Sequence, residues 1–145
     1  MEKTNKIHES FTLFYLDLDN LKKINDQLGH NIGDKVLIEF GEKLKQTVRE
    51  TDIVCRMGGD EFVILASGCN REKADLFAKR ILNTLTSPIM IHDEELYIST
   101  SIGIYVSNGE DNRQSPELMI KLADDALYIA KNNGKNRYEF SNDYQ

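Results

Sequence analysis

The chain has 145 residues, 40% of them hydrophobic, enough to bury one substantial core but too few for a second full domain. Its 18 basic and 24 acidic residues give a net charge of −6, which excludes wrapping a DNA or RNA polymer, because binding a phosphate backbone needs a dense cationic surface. Any nucleotide handled here is small, and local cations and metal ions must offset its phosphates against the overall field. Residues 1–10 lack the basic start, apolar centre and small-residue cleavage site of an export signal.

Phe11 to Leu18 is a nearly continuous apolar run, which predicts a strand covered on both faces and central in a sheet. It is far too short to span a bilayer and carries Asp17 inside it, so the chain is expected to be soluble and cytoplasmic, with no membrane segment. Leu21 to Leu28 predicts a short helix closed by Gly29. From Gly33 onward Val36, Leu37, Phe40, Gly41, Leu44 and Val48 recur at helical spacing, and Lys45 and Arg49 suit the negative end of that helix. Two strands, Asp52 to Met57 and Glu61 to Ala66, flank Gly58, Gly59 and Asp60, a hairpin signal because glycine tolerates positive φ.

Ala74, Phe77, Ala78, Ile81, Leu82 and Leu85 mark another helix, with Pro88 beyond its end. Strands are expected at about Ile89 to His92 and Leu96 to Val106. Ser115 is a good N-cap with Pro116 behind it, opening a helix that Gly134 ends, and Arg137 to Phe140 predicts a last strand. The order β-α-α-β-β-α-β-β-α-β, without repeat or linker, is an α+β fold in which helices flank a central antiparallel-rich sheet, one domain over residues 1–145. Cys55 and Cys69 lack the spacing of a zinc site or redox pair and are expected to be reduced packing residues.

Two features carry chemistry. Asp17 and Asp19 end an apolar strand, and a buried carboxylate needs a metal, a cation or several hydrogen bonds; the alternative is a strand end emerging into water. Asp60 and Glu61 sit at the hairpin tip, and if the hairpin lies beside the strand ending at Asp17, three carboxylates converge in a geometry suited to magnesium-dependent nucleotidyl transfer. Read locally, they are ordinary turn polars. No GxxxxGK[ST] string is present, against a P-loop enzyme.

"GGDEF" at Gly58 to Phe62, "DLDNLKKINDQLGHNIGDKVL" from Asp17, "SIGIY" from Ser101 and "ADDALYIAKNNGKNR" from Ala123 resemble, in order and spacing, the motifs of the GGDEF domain family of diguanylate cyclases. The resemblance runs from about Phe11 to Tyr138. It implies a fold related to polymerase palms and nucleotide cyclases, and the condensation of two GTP molecules into cyclic di-GMP and two pyrophosphates by a transient homodimer with Mg2+, or Mn2+. It further implies metal ligands at Asp17, the Leu18 carbonyl and Asp60, and a catalytic role for Asp60 and Glu61. Asn20, Leu21 and Lys22 match a backbone stretch touching phosphates, Gly58 and Gly59 a close backbone approach, Asn25 and Asp34 the guanine-binding pair, and Lys131 and Lys135 the phosphate cations. Position 135 is usually arginine in the family, and lysine lacks its bidentate fork. Arg49 and Asp52 in "RETD" resemble the RxxD product-inhibition site, which Arg80 joins. The family's upstream DxLTGLxNR segment has no counterpart in the residues before Asp17.

Independent chemistry agrees in part. Guanine presents N–H donors beside O6, which a carboxylate at 34 and an amide at 25 can meet, whereas adenine would leave them unpaired. The alternatives are a first-turn acid favoured by the helix dipole for Asp34 and a surface residue for Asn25; Lys131 and Lys135 also suit a helix C-terminus. The competing function is a catalytically weak domain that binds cyclic di-GMP or GTP for regulation. A nucleotide-gated interaction domain is a third.

Overall fold

The computed structural model describes residues 10–107 and 115–144. Its sheet has β1 (Phe11–Leu18) at the centre, flanked by β3 (Glu61–Ser67) and β6 (Thr100–Ser107), both antiparallel to it. β2 (Ile53–Gly58) pairs antiparallel with β3 at one edge, and β7 (Tyr138–Phe140) runs parallel to β6 at the other. Four helices cover it among the described residues: α1 (Leu21–Leu28), α2 (His30–Thr47), α3 (Arg71–Leu85) and α4 (Pro116–Asn132). No described helix is long and apolar enough to cross a membrane.

Strand alternation divides the core. Phe14, Leu16, Phe62 and Ile64 face the α1–α3 side and pack on Val36, Phe40, Leu44, Phe77 and Ile81, with Phe14 and Phe77 edge to face at 5.0 Å. Leu13, Tyr15, Val63 and Tyr105 face α4 and meet Ala123 and Leu127. Each such fully buried apolar side chain contributes about 1.5–3 kcal/mol relative to exposure. Gly103 lets α4 lie directly on β6: a Cβ there would be 1.9 Å from the Ala123 carbonyl oxygen and 2.3 Å from the Leu127 amide nitrogen.

Several expectations are corrected. The strand expected at Leu96 to Val106 is two elements, because residues 97–99 leave the ladder so that Ser99 reaches Asp19, whose N–H donates to the Ser99 carbonyl at 2.9 Å. Before this break β4 (Ile89–Ile91) and β5 (Glu94–Leu96) form their own hairpin, turned by His92 and Asp93 at φ 52° and 66°. α2 begins at His30 rather than Gly33, directly after Gly29 at φ 95°, so Asp34 falls in its second turn and the first-turn explanation for that acid fails. α2 also stops at Thr47, leaving Arg49 in the following turn. Cys69 is buried as expected, but Cys55 is exposed on edge strand β2 rather than in the core; both are free thiols.

Candidate active site

The site forms where neighbouring strands finish. Asp17 is one residue from the end of β1, opposite Glu61 on β3 and Ser101 on β6. The hairpin turn is fastened to it, since the Leu18 N–H donates to the Asp60 carbonyl at 3.3 Å. Gly59 holds that turn at φ 49°, a region costly for a residue with a Cβ, and Arg56 grips its carbonyl through Nε at 3.0 Å and Nη2 at 2.7 Å. Asp17, the Leu18 carbonyl and Asp60 are thereby brought to one place.

Asp19 is 1% exposed, which rules out the solvated strand end. It is a clamp: Ser99 Oγ donates to Oδ2 at 2.5 Å, Ser101 Oγ to Oδ1 at 2.7 Å, Lys131 Nζ to Oδ1 at 2.9 Å and the Asn136 N–H to Oδ2 at 3.0 Å. Burial alone pushes its pKa up, but these hydrogen bonds and the Lys131 charge outweigh burial and hold it below the ordinary carboxylate range. With its four acceptor sites committed, Asp19 is no metal ligand but the anchor of Lys131, a role the sequence alone does not reveal because its partners lie at least 80 residues away.

Asp17 is the reverse case. Burial pushes its carboxyl up to about 7, with the Lys131 ammonium pulling it down and the Asp60 carboxylate pushing it further up. Its Oδ1 is buried and has no hydrogen-bond partner. Lys131 Nζ lies 3.4 Å from Oδ2 and 3.2 Å from the Leu18 carbonyl, so its three protons face three protein acceptors, and serving a phosphate requires it to release one.

Asp17, Leu18, Asp60, Asn20, Leu21, Lys22, Lys131 and Lys135 line one open cleft of about 620 Å³. Asn20 adopts a left-handed conformation at φ 64°, and α1 then starts with neither a side-chain cap nor an acid in its first turn. Its first amides stay open and the positive end of its dipole lies on the cleft, a ready phosphate site. Lys135, also left-handed at φ 64°, donates from Nζ to Asn20 Oδ1 at 3.1 Å. The donor set fits a hard divalent cation: a main-chain carbonyl and two carboxylates, one of which, Asp17, has a buried oxygen without a partner. No three His, Cys, Asp or Glu among the described residues cluster tightly enough to hold a metal by themselves.

Other expected residues stand apart from this cleft. Glu61 is paired directly across from Asp17 and shares its α4 face, where Tyr15 donates its hydroxyl to Oε1 at 2.9 Å, but it does not line the cleft, and among the described residues it forms no three-carboxylate metal group with Asp17 and Asp60. Tyr15 was not singled out in the sequence, nor was Asp124, whose pKa is raised by burial and by the nearby Glu61 charge. Asn25 turns Oδ1 against Gly33, buried and unpartnered, while Asp34 is exposed on α2. The two are not hydrogen-bonded to each other among the described contacts.

A second pocket, of about 220 Å³, opens at the far end of β2 from Asp60 and is lined by Arg49, Asp52 and Arg80. Arg49 binds Asp52 twice, through its N–H at 2.9 Å and Nη2 at 3.1 Å, and gives Nη2 also to the Ser67 carbonyl at 2.9 Å. Arg80 donates to the Thr47 carbonyl at 3.0 Å.

The family described as "Diguanylate cyclase, GGDEF domain" matches residues 1–137. The uncharacterized protein YhcK of Bacillus subtilis is 43% identical over 136 residues, covering 92% of this chain and 37% of that protein. The diguanylate cyclase DgcS of Shewanella oneidensis is 38% identical over 132 residues, covering 91% of this chain and 43% of its own. The chain therefore spans less than half the length of these curated relatives. Among solved structures, the GGDEF domain of YfiN (TpbB) from Pseudomonas aeruginosa superposes with a TM-score of 0.88 at 31% identity, over 96% of this chain and 86% of that one. An EAL/GGDEF domain protein from M. capsulatus does so with a TM-score of 0.82 at 41% identity, over 90% and 84%.

Proposed function

The chain belongs to the GGDEF domain family, and from that premise we propose that it is a diguanylate cyclase, condensing two GTP into cyclic di-GMP and two pyrophosphates. The observation that carries the reading is the buried, unpartnered Oδ1 of Asp17, beside Asp60 and across a cleft from the uncapped N-terminus of α1. A carboxylate raised to about 7 by burial is a cost to the fold that a bound cation relieves.

Asp17, the Leu18 carbonyl and Asp60 would hold Mg2+, or Mn2+, which when bound supplies neutralisation of phosphate charge. The first amides of α1, from Leu21 and Lys22, would receive phosphate oxygens, with Lys135 closing over them from Asn20. Lys131 would exchange one protein acceptor for a phosphate oxygen while Asp19 keeps its stem in place. Asn25 and Asp34 would read the guanine edge, and Gly58 and Gly59 would let the backbone approach the substrate. One GTP per domain, in a transient homodimer, puts each 3′-oxygen in line with the opposing α-phosphate. The new P–O bond forms as the bond to pyrophosphate breaks, and the hydroxyl proton passes to Asp60 or to the Glu61 carboxylate, whose Oε1 already accepts from Tyr15. Cyclic di-GMP would bind back at Arg49, Asp52 and Arg80.

The second reading, a domain that binds cyclic di-GMP or GTP with weak catalysis, draws on one observation: Lys131 is fully engaged by protein acceptors. Incubation with GTP and magnesium, with products identified by mass, separates the two. Asp60→Asn should abolish cyclic di-GMP formation while the fold survives; a folded variant that keeps most activity sinks the assignment.

A further inference from the structure

The pocket beyond the start of β2 holds a cation that the resemblance does not assign. Lys73 lines it together with Arg49 and Arg80, against the single carboxylate of Asp52. The Asp52 side chain is 2% exposed and already paired with Arg49 at 3.1 Å, so the charged groups lining the pocket carry an excess of two positive charges, in a chain of net charge −6. All three cations have donors to spare. Arg49 commits only Nη2 and Arg80 only one Nη2 contact among the described residues, Arg80 resting its guanidinium 5.0 Å from the Phe77 ring. The Lys73 ammonium is 3.5 Å from the Gly68 carbonyl, the outer limit of a hydrogen bond.

Lys73 also sits where folding does not favour it. It is in the first turn of α3, and a cation there opposes the helix dipole. Asn70 caps its backbone N–H, at 3.0 Å, leaving the ammonium without an internal carboxylate partner among the described contacts. Leu76, 67% exposed, adds an apolar rim beside the ring of Phe77.

We propose that Lys73 is a third ligand-contacting cation of this pocket, which accepts a ligand with two phosphates, one against Arg49 and the other shared by Lys73 and Arg80. This rests on the feedback reading, in which cyclic di-GMP is the ligand. Two excess positive charges match two phosphodiesters, and the exposed apolar rim suits a flat base.

The test is calorimetric titration of cyclic di-GMP into wild type, Lys73→Gln and Arg49→Ala at low and moderate salt, with circular dichroism confirming each fold. Lys73→Gln is expected to bind about tenfold more weakly and with a shallower salt dependence, as loss of one charge-assisted phosphate contact implies. If Arg49→Ala weakens binding but Lys73→Gln matches wild type in affinity or in salt dependence, the role of Lys73 is overturned and the pocket stands. If wild type does not bind, or Arg49→Ala binds like wild type, the feedback reading fails and takes the inference with it.

Discussion

Replacing Gly103 with alanine tests how the fold carries its last helix. The added Cβ would meet the Ala123 carbonyl oxygen at 1.9 Å, the Leu127 nitrogen at 2.3 Å and the Leu127 Cα at 2.9 Å, where ordinary contact begins near 3.4 Å. All three are backbone atoms, which no rotamer change can move, so α4 must retreat by about 1.5 Å. That retreat loosens Ala123 and Leu127 from Leu13, Tyr15, Val63 and Tyr105 and draws Lys131 away from Asp19. Overpacking typically costs ~1–3 kcal/mol, and with the backbone resisting we expect about 3 kcal/mol. For a domain of this size that lowers Tm by roughly 10 °C. Gly41→Ala is the matched control: it sits inside α2 and its Cβ meets only the Phe62 ring at 3.8 Å, so it should gain ~0.5–1 kcal/mol. Thermal melts followed by far-ultraviolet circular dichroism read both. A Gly103→Ala protein melting within about 2 °C of wild type refutes the packing argument.

Asp17 makes stability depend on pH. Its folded pKa, about 7, lies above the unfolded value, so its contribution is fully present below about pH 4 and is lost as pH rises through 7. Asp17→Asn removes that slope, and without divalent ions it should melt higher than wild type at pH 8; equal melting curves from pH 5 to 8 would count against the burial of this charge. Gly33→Ala drives a Cβ to 1.7 Å from the buried Asn25 Oδ1, which must turn out of its place, so KM for GTP should rise. An unchanged KM removes Asn25 from base recognition. Arg56→Ala releases the Gly59 carbonyl and loosens the turn bearing Asp60, which should lower kcat roughly tenfold, the equivalent of ~1.4 kcal/mol. Steady-state kinetics showing wild-type kcat would leave the turn rigid without its arginine.

Local rules made part of this structure legible. The apolar run ending at Asp17, the helical spacing from Val36 to Leu44 and the cap Ser115–Pro116 each state their element without help from distant residues. The β4–β5 hairpin was hidden because its two turn residues, His92 and Asp93, take positive φ without glycine or asparagine. The start of α2 was hidden because no capping side chain announces it. In the site, carboxylates at a strand end and a hairpin tip were visible as unusual. Their division of labour was not, since the donors that turn Asp19 into a clamp and leave Asp17 unpartnered arrive from β6, α4 and the loop after it.

That clamp also orders events in time. Asp17 and Asp60 can meet as soon as β1 pairs with the following hairpin, a closure of some 40 residues, whereas the contacts of Asp19 join positions 80 to 117 apart in the chain. The entropy of closing a loop grows with its length, and pairings at such separation form late. A nascent or partly folded chain can therefore hold its acidic pair long before it holds Lys131, and competence to engage phosphate arrives only with the final cooperative step. On the proposed reading as a cyclase, an immature copy would then lack a complete phosphate site until the chain has closed on itself.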